Sequence, residues 1–198
     1  MSSEKDVIPK FLELYKTEKN TEIKSKLIQG TMIYYQNHRD QIKASSDYQS
    51  LKSFYADLLY TELLGTDADN VIRGFIDFHS PQEILQSRGQ IDKHCANVEP
   101  NLLLGLKHQL ASVSKELEAI YIPSMISMLK KYNRSDLDDM FYGIIKMNYK
   151  KLSTQAKNEV KAYVNSSATN YFSKSMHGNN DPYFEIAKRS LTDLQKSF

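Results

Sequence analysis

The residues able to do chemistry in this chain are few and scattered. Its five histidines, His38, His79, His94, His108 and His177, share no i, i+3 or i+4 spacing, so no pair shares a helix face where it could grip a metal. His94 and Cys95 are adjacent and on a helix would point about 100° apart. Asp67-Ala68-Asp69-Asn70 opens like a calcium loop, but Val71 and Ile72 stand where a ligand and a turn glycine are needed. Cys95 shares the stripe of Ile84 and Ile91, a packing position that lacks the electropositive, part-exposed setting of an activated thiol. There is no Gly-x-Ser-x-Gly, and the seven isolated glycines build neither a Gly-x-Gly-x-x-Gly nor a Walker-type phosphate cradle. Asp136, Asp138 and Asp139 fall at a helix start, where acidic side chains favour the dipole and solvation is the ordinary fate. The reading therefore assigns no catalytic residue and no metal ligand.

Aromatic usage is the skewed feature, with 13 tyrosines and no tryptophan. Many tyrosines lie at or beside an apolar stripe, which suits bundle boundaries and recognition surfaces alike. In the second reading Tyr142, Tyr149, Lys150, Lys151 and Tyr163 form an interaction face. Nine Lys/Arg against four Asp/Glu follow from Lys146 onward. Cations mixed with aromatics can track a nucleic-acid backbone, but the pI of about 8.4 lies below the strongly basic range and no nucleic-acid motif is present. A protein partner is the expectation, and nucleic acid is not.

Composition is ordinary for a globular chain, with 40% hydrophobic and 25% charged residues. A single cysteine excludes an intramolecular disulfide and suits a reducing compartment. The charged start, Ser3-Glu4-Lys5-Asp6, carries no apolar leader, and no run is long enough for a transmembrane segment. A cytoplasmic or otherwise intracellular location follows as the expectation.

The elements that must position these residues read as helices. Apolar residues recur at three- and four-residue steps, and cap chemistry punctuates them. Helices are predicted near Pro9–Lys16, from Asn20 or Thr21, from after Ser45-Ser46-Asp47 to a stop at Gly65, and after an Asp67 cap. Ser80-Pro81-Gln82-Glu83 is the clearest start, a capping box with proline at N1, leading to about Ala96. Pro100 opens a long central helix near 100–121, with Leu103, Leu106, Leu110, Val113, Leu117 and Ile120 spaced 3, 4, 3, 4, 3. Pro123 is expected to end or kink it. Further starts are read at Ser135, Ser153-Thr154 and Asp181-Pro182, with a linker from Ser175 to Asp181. The predicted fold is all-α, a globular bundle of about eight to ten helices. Residues 1–174 form the bundle, and 182–198 form a C-terminal helix, packed on it or separable.

One order of residues carries a resemblance. His94 is followed by Pro100 and Leu104-Gly105, then a long helix and another near 136–151. This resembles the proximal-histidine helix and the two helices after it in bacterial sensor globins, although the residues just before His94 depart from that pattern. The resemblance implies haem as cofactor, with His94 its axial ligand, and a sensor's role. The residues themselves suggest a non-catalytic helical protein-interaction module, such as an adaptor, a chaperone-like factor or a subunit of a larger assembly. The alternative is a globin-like haem or small-ligand-binding protein.

Overall fold

The computed structural model describes residues 7–61, 67–96, 98–176 and 181–198. Among them the chain forms twelve α-helices, one 3-10 turn and no strand, so the fold is all-α. The chain divides into two compact units, Met1–Glu99 and Pro100–Phe198. Among the described residues no helix is long and apolar enough to cross a membrane.

The first unit holds α1 (Val7–Thr17), α2 (Thr21–Asn37), α3 (Arg39–Lys43), α4 (Asp47–Thr61), α5 (Ala68–Phe78), α6 (Pro81–Gln86) and α7 (Arg88–Cys95). Asn20 starts α2 by accepting from the amides of Glu22 and Ile23, two of the donors that a helix start leaves without an internal partner. α5 buries Val71, Ile72, Phe75 and Phe78, against Tyr55, Leu58 and Leu59 of α4. Tyr55 is fully buried, its ring stacked on Phe78 at 5.6 Å and its hydroxyl 2.7 Å from Thr31 Oγ1. Gly74 faces that ring so closely that a Cβ there would lie 2.6 Å from Tyr55 Cζ. The capping box at Ser80 is complete: Glu83 N donates to Ser80 Oγ, and Ser80 N donates to Glu83 Oε2.

The second unit holds α8 (Pro100–Ala111), α9 (Lys115–Tyr132), α10 (Ser135–Asn148), a 3-10 turn at Tyr149–Lys151, α11 (Thr154–Met176) and α12 (Phe184–Gln195). α8 packs on α9, α9 on α11, and α12 lies along α10 and against α11. The core joins Leu104, Leu110, Leu117, Met125, Phe141 and Ile145 to Val160, Val164, Ala187 and Leu194.

The helices outnumber the predicted eight to ten because three expected helices are broken. A short α3 follows α2, Ser87 separates α6 from α7, and the long central helix is two. Ser112 Oγ donates to the His108 carbonyl at 2.8 Å, and Ser114 turns extended (φ −153°, ψ 167°) and accepts from Leu117 N. These side chains offer the backbone an exit that a smooth apolar periodicity does not reveal. Pro123 does not end the helix: α9 runs on through it to Tyr132. The lost hydrogen bond is outweighed by burial on either side, where Tyr121, Ile122, Met125 and Ile126 all pack inward. α9 ends at Asn133, left-handed at φ 48°, a conformation asparagine tolerates.

Caps differ in detail. Asp67 precedes α5 but spends its side chain accepting from Ser25 Oγ rather than from the helix. Ser135 is the first helical residue of α10 rather than its cap, and α12 begins at Phe184, with Asp181 accepting from Tyr183 N. Ser175 and Met176, expected in a loop, belong to α11. The stop at Gly65 and residues 177–180 of the expected linker lie outside the described residues.

Candidate functional site

The break between α8 and α9 opens a cleft of about 350 Å³ in the second unit. The end of α8, the first turns of α9, the end of α10 and the segment to Leu152 surround it. Ala111, Val113, Ile122, Ile145 and Leu152 make one part of its wall apolar. His108, Ser112, Ser114, Lys115, Glu118, Asn148 and Lys151 make the other polar.

Glu118 is only 4% exposed. Burial opposes its charge, but hydrogen bonds from Ser153 and the Lys115 ammonium outweigh it and hold the carboxyl below its ordinary range. Ser153 N donates to Oε1 at 2.9 Å and Lys115 Nζ to Oε2 at 3.0 Å. Lys115 also donates to the Lys151 carbonyl at 2.8 Å, so one ammonium ties α9 to the turn after α10.

His108 takes a defined protonation state here. Asn148 Nδ2 donates to the Ile144 carbonyl at 2.9 Å, which fixes the orientation of its amide. The second amide proton then points to His108 Nε2 at 3.2 Å, making that nitrogen an acceptor. The imidazole is therefore neutral with its proton on Nδ1, and burial pushes its pKa below the ordinary value in the same direction. Ser112 Oγ lies 3.5 Å from that nitrogen but only 2.8 Å from the His108 carbonyl, so its proton goes to the carbonyl and the hydroxyl is not activated. Both Glu118 oxygens and the His108 lone pair are thus already engaged.

A second polar cluster lies where α10 meets α11. Asp138 accepts from the Tyr163 hydroxyl at 2.6 Å and the Tyr171 hydroxyl at 2.9 Å. Burial first, then the Asp138 charge, pushes the pKa values of Tyr142, Tyr163 and Tyr171 upward, so the phenols stay protonated. Asp138, expected as a solvated dipole partner, is instead a half-buried acceptor for two phenols. A cleft of about 170 Å³ borders the cluster, lined by Ser135, Asp138, Tyr163, Ser166 and Asn170 among others.

Of the residues read as an interaction face, Tyr142 and Tyr163 lie together, their rings 6.4 Å apart. Tyr142, Tyr149 and Tyr163 are buried, and this corrects their expected exposure: each ring packs in the core. Tyr149 packs against Phe198 at 5.1 Å with Lys157 Nζ 5.7 Å from its ring. Lys150 and Lys151 are exposed, and Lys151 reaches the cleft. Apolar surface lies elsewhere: Met147 is 77% exposed on α10, and Tyr183 and Ile186 are 50% and 45% exposed one turn apart at the start of α12.

His94 is 2% exposed inside the first unit, with Nε2 2.8 Å from the Leu59 carbonyl. It can bond there only as a donor, so the proton sits on Nε2. An iron on Nε2 would have to displace that bond, and Nδ1 is itself buried without a partner. Cys95 is buried beside it. Among the described residues no three His, Cys, Asp or Glu side chains converge as a metal site. Comparisons with family models, curated proteins and solved structures find no match to the chain.

Proposed function

We propose that this chain is a non-catalytic helical binding protein that takes a small ligand into the cleft at the α8–α9 break. The observation that carries the reading is the cleft itself, whose lining combines apolar side chains with a set of hydrogen-bonding groups. The same geometry argues for binding over catalysis. The hydroxyl, carboxylate and imidazole that could act as nucleophile or base are already bonded to the backbone, to Lys115 or to Asn148.

The test is binding of the neutral fluorescent probe N-phenyl-naphthylamine, with and without Val113→Trp, which places an indole in the cleft. One saturable site in the wild type, lost in the folded variant, is the expected result. Absence of saturable binding, or binding that Val113→Trp leaves intact, overturns it.

The exposed Tyr183 and Ile186 favour a second reading, a protein-interaction module in the manner of an adaptor, a chaperone-like factor or an assembly subunit. A stoichiometric partner held by the wild type and released by Ile186→Glu supports it, and a monodisperse monomer that captures none overturns it. A haem on His94 is a third arrangement, in which the Leu59 bond must break. A Soret band that appears on haem addition and disappears in His94→Ala supports it, and no band removes it.

A further inference from the structure

Resting on the reading of the cleft as a ligand site, we propose that its ligand is a small amphipathic carboxylate, a compact apolar body ending in one negative charge. The argument is an inventory of what the cleft has left to offer. Its acceptors are largely spent: Glu118 Oε1 on Ser153 N, Glu118 Oε2 on Lys115, and His108 Nε2 on Asn148. Its donors are not. Lys115 uses two of its three protons, on Glu118 and on the Lys151 carbonyl. Lys151 lines the cleft and pairs with no carboxylate among the described residues.

Charge points the same way. Two lysines and one carboxylate line the cleft, and His108 is neutral, so the lining carries one uncompensated positive charge. A single carboxylate balances it and accepts from both ammonium groups. A phosphate monoester would bring a second charge with nothing to meet it, and an ammonium ligand would meet like charge and a carboxylate already engaged. The apolar body belongs against Ile122, Ile145 and Leu152, where burial of hydrocarbon supplies the affinity. The carboxylate sits at the lysines, where charge-assisted hydrogen bonds supply the selectivity.

The experiment is displacement of N-phenyl-naphthylamine from the full chain by octanoate, octanol and octylamine, with Lys151→Gln as the variant. Lys151 is exposed, so the variant keeps the fold, and far-UV circular dichroism checks this. Octanoate is expected to displace the probe at roughly tenfold lower concentration than octanol, and octylamine to displace it least. Lys151→Gln is expected to weaken octanoate by about tenfold and to leave octanol unchanged. If octanol or octylamine competes as well as octanoate, or if Lys151→Gln weakens octanoate and octanol alike, the carboxylate assignment is wrong while the cleft stands. If the probe itself finds no saturable site, the ligand-site reading fails and the assignment with it.

Discussion

Gly74→Ala sets two effects of known size against each other inside the first unit. Alanine in a helix interior is favoured over glycine by about 1 kcal/mol, so propensity alone predicts a gain. The added methyl, however, would lie 2.6 Å from Tyr55 Cζ and in contact with Tyr55 Cδ1 and Cε1. The ring has no easy retreat. Its face stacks on Phe78, its hydroxyl bonds Thr31 at 2.7 Å and the Ile28 carbonyl at 3.2 Å, and Phe54 stands at its edge. Overpacking a filled core costs about 1–3 kcal/mol, and these anchors place this site at the upper end. The net expectation is a loss of about 2 kcal/mol. For a unit of this size, that lowers Tm by roughly 8–16 °C. Urea unfolding followed by far-UV circular dichroism measures it, and Tyr55→Leu supplies the control. Without the phenol ring the methyl has room, so Gly74→Ala in that background is expected to stabilise by about 1 kcal/mol, a coupling near 3 kcal/mol. A stabilising Gly74→Ala in the wild type, or the same effect in both backgrounds, refutes the close packing of α4 on α5.

Glu83→Gln keeps a side chain that can complete the capping box but loses the charge facing Lys52 at 2.7 Å, and is expected to cost about 0.5–1 kcal/mol. Lys52 and the Ser80 hydrogen bonds hold the Glu83 pKa down to about 2 from an ordinary 4.5, so its contribution is complete above 4.5 and lost as pH falls towards 2. Melts across that interval should show a smaller acid loss in Glu83→Gln than in the wild type. His108 has the opposite chemistry but a similar slope: its folded pKa lies below 6.5, so stability is complete above 6.5 and falls as pH drops beneath it. In Asn148→Asp a carboxylate can accept from Nε2–H, so the His108 pKa is expected above 6.5, and stability is then lost as pH rises through it. Titration of the His108 ring protons by NMR checks both, and a wild-type value above 6.5 removes the assigned tautomer. Asp138→Asn replaces a charged acceptor of two phenols by an amide and is expected to cost about 2 kcal/mol in urea unfolding; a change under 0.5 kcal/mol would mean that the charge contributes little.

The helical class was legible because it rests on short-range chemistry. Ser80, Pro81 and Glu83 lie within one turn, and the cap they imply is the cap that forms. The α8–α9 break was equally local, since Ser114 stands before Glu116 and Glu118 as a helix start should, but the apolar spacing across it was followed instead. The candidate site was another matter. His108 owes its state to Asn148, 40 residues on, and Asp138 finds its phenol partners in Tyr163 and Tyr171, 25 and 33 residues on. No local spacing encodes such pairs. The tyrosines were misplaced for a related reason: whether an aromatic beside an apolar stripe packs inward depends on contacts far away in sequence. Tyr163 finds Asp138, and Tyr55 finds Thr31.

The break at Ser112–Ser114 also bears on the order in which the second unit assembles. An unbroken seam from Leu103 to Ile120 would have no partner until a distant segment or another chain arrived. Bent back at the serines, α8 and α9 become each other's partner, as the 2.7 Å bond from Lys107 Nζ to Ser124 Oγ shows. Contacts this near in sequence require little loop closure, so the pair can form early and rapidly. The corner that α8 and α9 form and the end of α10 together bound the cleft.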